Sequence, residues 1–246
     1  MKILVCISNV PDTTTKIKFV DGKELDKTGV QWIINPWDEL ALTRALELKT
    51  ANPSAIEKIF VAMVGKSDAE PTIRKALAMG ADEAIRIDIE PKDSYTVASE
   101  ISNAIKDMNF DIIMTGLESA DFNGLSVGAM LGEFLNYQTI NAVSGLDIEN
   151  NQIKIKREIE GGYELIYTKT PLVAIVQKGI AITPLIANMR GIMQAKTKPL
   201  KVVTAANTDS LVDYISFELP KPKPPVKMVA TAQELVSLLK NDAKLI

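Results

Sequence analysis

The amino-acid sequence predicts an α/β fold built on a doubly wound, mostly parallel sheet. Short continuous apolar runs, which are typical of strands buried on both faces, alternate with helical segments along the first half of the chain. Such alternation indicates βαβ units, whose strands lie parallel. The 246 residues are 46% hydrophobic, which is enough apolar material for a large core.

Four strand–helix pairs account for the chain up to residue 135. Asn35 is expected to cap the first helix, because Pro36 suits the first helical position and two acidic residues follow. Gly80 is the expected end of the second helix. The predicted strands are Ile3–Ile7, Lys58–Val64, Ala84–Ile89 and Asp111–Thr115, and the predicted helices are 36–52, Glu70–Met79, Tyr95–Met108 and Ser126–Leu135. Two extended segments, which suggest a hairpin or an excursion before the first helix, are Lys16–Val20 and Gly29–Ile34.

The pattern changes after Gly145. Polar and apolar residues alternate on both sides of Gly161-Gly162, which predicts an antiparallel hairpin. The strands of this hairpin are Lys154–Glu160 and Tyr163–Thr170, and a further buried strand is Leu172–Gln177. Residues 178–200 have no clear assignment, because glycines and prolines interrupt them.

A C-terminal arm is predicted beyond an α/β domain over residues 1–205. Residues 206–246 contain the extended segment Pro220–Pro225 and an amphipathic helix over Thr231–Lys240. Such an arm either folds back on its own domain through a flexible linker or reaches across a partner subunit. Composition alone leaves both interpretations open.

Composition excludes several classes of function. The chain has no histidine, which removes Ser-His-Asp and Cys-His catalysis as well as histidine metal sites. Cys6 is the only cysteine, so a zinc site built on cysteines is excluded and an internal disulfide is impossible. The net charge of −3 indicates no nucleic-acid partner. No apolar run suits a signal peptide or a membrane span, so we expect a cytoplasmic protein without membrane insertion.

Three loops follow the carboxyl ends of predicted strands, where doubly wound folds bind ligands. They are Ser8–Thr15, Gly65–Ala69 and Gly116–Gly128. In the third loop, small and polar residues precede a helix whose free N–H groups suit a phosphate. An ordinary β–α turn with a capping side chain is the alternative, because neither a Gly-x-Gly-x-x-Gly fingerprint nor a P-loop is present.

Other candidate residues have simpler interpretations. Cys6 lies in an apolar strand and is expected to be a buried hydrophobe rather than a reactive thiol. The charges around the hairpin, Arg157, Glu158, Glu160 and Glu164, are expected to form a solvated face. Met189 and Met193 either fill the core or form an adaptable partner surface, with a basic rim of Lys196, Lys198 and Lys201.

Four segments in this order resemble the β subunit of electron transfer flavoprotein. They are Asn35–Glu39, Thr72–Asp82, Lys156–Glu164 with Pro171, and Ile192–Lys196 with Lys198-Pro199. The resemblance covers nearly the whole chain, and the stretch Arg-Glu-Ile-Glu-Gly-Gly is its most specific part. It implies a nucleotide-binding domain of the adenine-nucleotide α-hydrolase-like type and a C-terminal arm that packs on a partner subunit.

The resemblance implies a scaffold and docking subunit for electron transport, without covalent catalysis of its own. Its partner would be an α subunit that carries the redox-active FAD. The heterodimer would take electrons from acyl-CoA or similar dehydrogenases of fatty acid oxidation and deliver them to a membrane quinone oxidoreductase. The β subunit of the common type holds a structural AMP, whereas the bifurcating type holds a second FAD. A universal-stress-like nucleotide-binding regulatory module is the alternative from another class.

The resemblance also implies site residues. The positions matching the nucleotide pocket are Cys6, Asn35, Val64, Asp121, Asn123, Gly124, Leu125, Ser126, Val127 and Gly128. The positions matching the loop that docks on the dehydrogenase lie in 181–196 and include Met189 as the apolar anchor, Ile192, Met193 and Lys196. Glu164 matches a carboxylate that faces the flavin domain of the α subunit, and Thr13 falls where other members place an aromatic near the flavin.

The nucleotide loop departs from both types. Val127 stands where the AMP type usually has a hydroxyl, and the Asp-Gly-Asp-Thr stretch of bifurcating members is absent. We expect AMP, with a second FAD as the alternative.

Overall fold

A large mixed sheet with helices on both faces organises the chain. The computed structural model describes residues 1–149 and 152–246. In the described residues the strands are β1 (Lys2–Cys6), β2 (Asn9–Pro11), β3 (Phe19–Val20), β4 (Glu24–Leu25), β5 (Trp32–Ile34), β6 (Lys58–Val64), β7 (Glu83–Ile87), β8 (Ile112–Gly116), β9 (Gln138–Glu149), β10 (Gln152–Ile159), β11 (Gly162–Thr168), β12 (Leu172–Val176) and β13 (Leu200–Val203). The helices are α1 (Pro36–Ala51), α2 (Glu70–Met79), α3 (Ser94–Ile105), α4 (Val127–Leu135), α5 (Met189–Ala195) and α6 (Ala232–Asn241), with a 3₁₀ turn at Ser67–Ala69.

The main sheet has the strand order β11-β10-β9-β12-β8-β1-β6-β7-β13 in the described residues. From β1 the chain builds outwards through β6 and β7, and then crosses to the other side of β1 for β8. Both neighbours of β1 pair with it in parallel. The antiparallel pairs β9–β10 and β10–β11 form one edge. The predicted doubly wound, mostly parallel fold is therefore confirmed.

Helices cover both faces of the sheet, and this explains the continuous apolar runs. Successive side chains of a strand point to opposite faces. In β1, Ile3 and Val5 pack in the layer that contains α1 and α2. Leu4 and Cys6 pack in the layer that contains α3 and α4. A strand of this kind has no solvated face, so all its positions after the first lysine are apolar.

Most predicted elements are found, with ends that differ by up to three residues. The hairpin is β10 with β11, and the terminal amphipathic helix is α6. The two early segments Lys16–Val20 and Gly29–Ile34, however, do not pair with each other. Instead, β3 pairs with β4, because Asp21 and Gly22 both adopt the positive φ of a tight turn. The later segment, as β5, pairs with β2.

Five strands and helices were not predicted, namely β2, β4, β9, α5 and β13. In β9 the alternation is broken, because Ala142 has a φ of 52° and the pairing register shifts beside it. Helix α5 has only seven residues, too few for a clear helical period. Strand β13 is a short, half-exposed edge strand directly after Pro199.

The chain divides into two compact units. One comprises Met1–Lys16 and Asp26–Tyr214, and the other comprises Ile17–Leu25 and Ile215–Ile246. In the larger unit, the Glu100 carboxylate accepts hydrogen bonds from the N–H groups of Ala206 and Thr208. This unit therefore continues as far as Tyr214, beyond the predicted domain end at residue 205.

The smaller unit joins the β3–β4 hairpin to the start of the arm. The Phe19 and Phe217 rings stack with centroids 5.2 Å apart, and the Phe217 N–H donates to the Gly22 carbonyl at 2.7 Å. None of its residues is buried in the chain, including those of α6. A segment of this size without a buried side chain has no hydrophobic core of its own.

Candidate functional site

The switch point of the sheet, where the winding order reverses, lies between the carboxyl ends of β1 and β8, and a crevice is expected there in a doubly wound fold. Ligands of doubly wound folds bind at this kind of switch point. Cys6, at the end of β1, and Val64, at the end of β6, lie on the α3–α4 face of the sheet. The structure thus brings two predicted pocket residues to one face, next to the loop that leads into α4.

Asn35 holds that loop from the start of α1. Its Nδ2 donates to the Glu118 carbonyl at 2.8 Å, and its Oδ1 accepts from the Ala120 N–H at 3.1 Å. Asn35 occupies the N-cap position, but its side chain makes no capping hydrogen bond. The predicted capping role is therefore wrong for the side chain. Its amide crosses to the β8–α4 loop instead, because the cap lies against the ends of the strands.

Asp38, in the first turn of α1, connects this helix to a residue just after β1 and to the end of β8. It was not predicted as a site residue. The N–H of Ser8 donates to Oδ2 at 2.8 Å, and the N–H of Gly116 donates to Oδ1 at 3.0 Å. A side chain at Gly116 would clash with this carboxylate and with the Trp37 Cβ. In the sequence, Asp38 resembles any acid that favours a helix N-terminus. Only its burial distinguishes it from such an acid.

Burial raises the pKa of Asp38 to about 7. The hydrogen bonds from Asn35, Ser8 and Gly116 favour the ionised form, but the loss of hydration outweighs them. Burial and the nearby Asp38 charge also raise the pKa of the Cys6 thiol. Cys6 is therefore a protonated, buried side chain, as predicted, and lines the site as a small apolar group.

The β8–α4 loop leaves the start of α4 without a side-chain cap. Ser126 is at the N-cap, but its hydroxyl donates to the Gly124 carbonyl at 2.5 Å. Asn123 and Leu125 have φ of 51° and 54°, a strained left-handed conformation for residues with a Cβ. The predicted alternative of a capped ordinary turn is therefore not what the structure shows. The N–H groups of the first turn of α4 remain available to a ligand.

An unpartnered hydroxyl lies beside that turn. Thr115, in β8, is buried, and its Oγ1 has no hydrogen-bond partner among the described residues. A Cβ at Gly128 would lie 2.5 Å from this oxygen and 2.6 Å from Ile175 Cγ1, so only glycine lets α4 approach so closely. Uncapped helical N–H groups fit an anionic group such as a phosphate. The unpartnered Thr115 hydroxyl is a buried polar atom beside them and marks a place where such a group can complete the hydrogen bonding. No sequence pattern distinguishes Thr115, because threonine is a common residue in strands and Thr115 lies in the predicted strand Asp111–Thr115.

The remaining loop residues are exposed. The Oδ1 of Asp121 accepts from the N–H of Phe122 at 2.9 Å, and the ring of Phe122 lies 5.1 Å from that of Tyr214. Phe122 and Leu125 are both more than half exposed. These apolar side chains flank the start of α4, where they suit the uncharged part of a ligand.

The predicted docking segment forms α5 and the loop before it. Asn188 caps α5, its Oδ1 accepting from the Gly191 N–H at 2.8 Å. Met189 is 75% exposed and Met193 is 68% exposed, so neither fills the core. Ile182 and Ile186, in the preceding loop, are almost fully exposed. Of the two interpretations of the methionines, the structure supports a surface for a partner.

A groove of about 530 Å³ lies between α2 and this segment. Its walls are mostly apolar, and charged side chains lie among them. The lining residues include Ala78, Met79, Leu185, Ile192 and Ala195, with Glu39, Arg74 and Lys196.

Glu164 lies at the edge of the main sheet, four strands from β8. Glu164 is in the edge strand β11 and forms an ion pair of 3.3 Å with Arg157 on β10. Arg157 also donates to Asn141 at 3.0 Å. Both side chains are substantially exposed, so this ion pair contributes little to stability. This exposure agrees with the solvated face that the sequence predicts for these charges. Thr13 is exposed in the loop after β2.

The described residues lack the features that a clustered metal site and a membrane-spanning helix require. They contain no group of three or more His, Cys, Asp or Glu side chains placed to hold a metal ion. The same part of the chain has no helix with both the length and the apolar character needed to cross a membrane.

Comparisons with known proteins agree on one family. The family described as electron transfer flavoprotein domain matches residues 24–208. Electron transfer flavoprotein subunit beta of Bacillus subtilis is 34% identical, and the match covers 100% of both chains. The protein of the same name from Syntrophomonas wolfei is 34% identical over 91% of this chain and 87% of its own. The human one is 28% identical over 98% and 97%. The chain therefore belongs to the electron transfer flavoprotein β-subunit family.

Proposed function

We propose that this chain is the β subunit of a heterodimeric electron transfer flavoprotein and binds AMP structurally in the crevice between β1 and β8. The observation that carries the nucleotide assignment is the free Thr115 hydroxyl beside the uncapped first turn of α4. Membership of the electron transfer flavoprotein family argues against the alternative of a universal-stress-like module.

The chain's own residues supply a binding site rather than a catalytic centre. Thr115 and the N–H groups of Val127 and Gly128 would hold the phosphate, while Cys6 and Val64 would contact the adenosine from the sheet. Asn35 would act through the loop that it holds rather than by touching the nucleotide. AMP at this place supplies no redox chemistry. It would join α4, β1 and β8 into one rigid surface for the partner subunit.

The electrons would pass between flavins by tunnelling. The redox FAD would belong to an α subunit, and this chain would present the exposed α5 segment to acyl-CoA or similar dehydrogenases. Met189 would be its apolar anchor, with Ile192, Met193 and Lys196 around it. A membrane quinone oxidoreductase would receive the electrons. The predicted cytoplasmic location stays a prediction.

Glu164 and Thr13 would contact the flavin domain of the α subunit. The Arg157–Glu164 ion pair is exposed and therefore weak, so an arginine from the partner can compete for the Glu164 carboxylate at small cost. Weak contacts of this kind suit a domain that moves between electron donor and acceptor. The arm would pack on the same partner, since its helix α6 has no buried residue within this chain.

A second FAD is the other candidate ligand. It is favoured by Val127-Gly128, because valine lacks the hydroxyl expected for the AMP type. Thr115 places a hydroxyl beside the same turn, so the lack of a hydroxyl at position 127 does not by itself argue against AMP.

The test is to produce the chain together with its α subunit, release the bound nucleotide by heat and identify it by mass spectrometry. We expect one AMP and one flavin per heterodimer. Two flavins would overturn the AMP assignment, and the absence of any nucleotide would overturn the pocket.

Thr115→Val tests the carrying observation directly. Valine has nearly the same shape, so the free energy of unfolding without nucleotide should stay the same or rise, because an unpartnered buried hydroxyl is removed. Retention of AMP should weaken about tenfold, as for one lost hydrogen bond to a charged group. Unchanged retention would show that the hydroxyl does not bind the phosphate.

A further inference from the structure

The segment Thr72–Asp82 contributes to the family resemblance but contains none of the residues predicted for the nucleotide pocket. It forms most of α2 and the turn that follows. Its Arg74 lies beneath the docking segment. The Arg74 Nη1 donates to the Ala195 carbonyl at 2.8 Å and to the Lys198 carbonyl at 2.7 Å. One guanidinium nitrogen therefore holds the last turn of α5 and the residues just beyond it.

Lys198 makes the reciprocal contact. Its Nζ donates to the Leu77 carbonyl at 2.9 Å and to the Ala81 carbonyl at 2.6 Å, at the C-terminal end of α2. Carbonyls at helix ends lack helical partners and carry partial negative charge, so a cation there is favourable. Each segment thus supplies the cation that satisfies the other segment's free carbonyls.

The two helices also meet backbone to backbone. A Cβ at Gly191 would clash with the Ala78 carbonyl oxygen, so only glycine lets α5 lie directly on α2. A helix of seven residues is not stable by itself in water. The orientation of α5 therefore depends on α2, while Met189 and Met193 stay exposed on it.

We propose that Arg74 and Lys198 are positioning residues, which hold α5 so that Met189 meets the dehydrogenase in one fixed orientation. This inference rests on the proposed docking function. A preformed docking helix avoids the entropy cost of ordering a loop on each encounter, which matters for a carrier that binds and releases repeatedly. We call the hydrogen bonds of Arg74 and Lys198 to the carbonyls of the other segment the clamp. Without the clamp, the apolar residues of α5 would remain exposed, but the orientation of the helix would no longer be fixed.

The first experiment measures hydrogen exchange in the full heterodimer. In Arg74→Gln, amides of residues 189–197 should exchange about tenfold faster, because the helix loses its anchor. Lys198→Gln should act in the same direction and serves as the second variant. Arg44→Gln is the matched control, since Arg44 also donates to a backbone carbonyl, that of Leu146, but far along the chain from α5. Equal exchange of α5 in the Arg74 variant and the control would overturn the proposal.

The second experiment measures electron uptake from a purified acyl-CoA dehydrogenase of the same organism, reduced with its acyl-CoA. Arg74→Gln should raise the KM for the dehydrogenase about tenfold, with bound nucleotide and flavin unchanged. Met189→Ala should raise the KM by a similar factor. If the clamp acts by placing Met189, the double variant should resemble either single one, not show the product of both effects.

The outcomes separate the two proposals. No effect of Met189→Ala would contradict the proposed docking function itself. A raised KM in Met189→Ala with a normal KM in Arg74→Gln would contradict only the clamp. Multiplied effects in the double variant would show that Arg74 acts on general stability, and this would also overturn the positioning role.

Discussion

Asp38 shows how one buried carboxylate can organise a binding crevice. It accepts hydrogen bonds from the N–H groups of Ser8, just after β1, and Gly116, at the end of β8. These two strands flank the switch point. The sequence marks it only as an acid in the first turn of a helix. Burial therefore converts a common helix feature into a link between three elements.

A pH dependence of stability follows from this burial. The pKa of Asp38 is about 7 in the folded chain and near the usual 3.8 when unfolded. Between these values only the unfolded state ionises, so the contribution of Asp38 to stability falls as pH rises from about 4 to 7. Each unit of difference corresponds to about 1.4 kcal/mol.

Asp38→Asn removes this ionisation. The difference in free energy of unfolding between the native chain and the variant should therefore change between about pH 4 and about pH 7, in the direction that favours the variant at the higher pH. Urea unfolding at several pH values measures it. A difference that is constant with pH would contradict the raised pKa of Asp38.

At the scale of elements, the strongly periodic segments were predictable and the short or irregular ones were not. The buried strands and helices α1 to α4 show clear apolar patterns, and the β10–β11 hairpin shows clear alternation. By contrast, α5 depends on contacts from Arg74 and Gly191 rather than on its own seven residues. Strand β9 is hidden by a bulge at Ala142. Contacts with residues distant in sequence define these two elements, so the local sequence pattern does not predict them.

Helix α6 carries its own prediction. It is capped by Thr231, whose hydroxyl accepts the Glu234 N–H at 3.2 Å, yet Leu235 and Val236 remain about half exposed. If this face packs on the α subunit, Leu235→Lys should weaken heterodimer formation about tenfold or more. Ser237→Lys, on the opposite side of the helix, should leave it nearly unchanged. Affinity measured by titration with the α subunit checks this, and equal effects of both changes would contradict it.

At the scale of the whole chain, the sequence predicted the sheet class, but not the hydrogen bonds around the switch point between β1 and β8. The resemblance led to Cys6, Val64 and the α4 loop, all of which lie at the crevice. Thr115 and Asp38 were missed, because their roles depend on burial and on the strands beside them. Asn35 was predicted to cap α1, but its side chain bonds to the β8–α4 loop instead.

Removal of residues 215–246 tests the division of the chain. The deleted segment contains no buried side chain, so the thermal midpoint of the remaining chain should change by only about 2 °C or less. Binding of the α subunit should be lost or strongly reduced. Calorimetry and size-exclusion chromatography measure the two effects. A large drop in the midpoint with intact heterodimer formation would contradict this view of the arm.

The unburied tail has a consequence for the cell. An exposed stretch such as residues 215–246 is an easy substrate for proteases until a partner subunit covers it. Surplus copies of this chain would be trimmed while assembled ones survive, so degradation would limit this chain to the amount that its partner can bind.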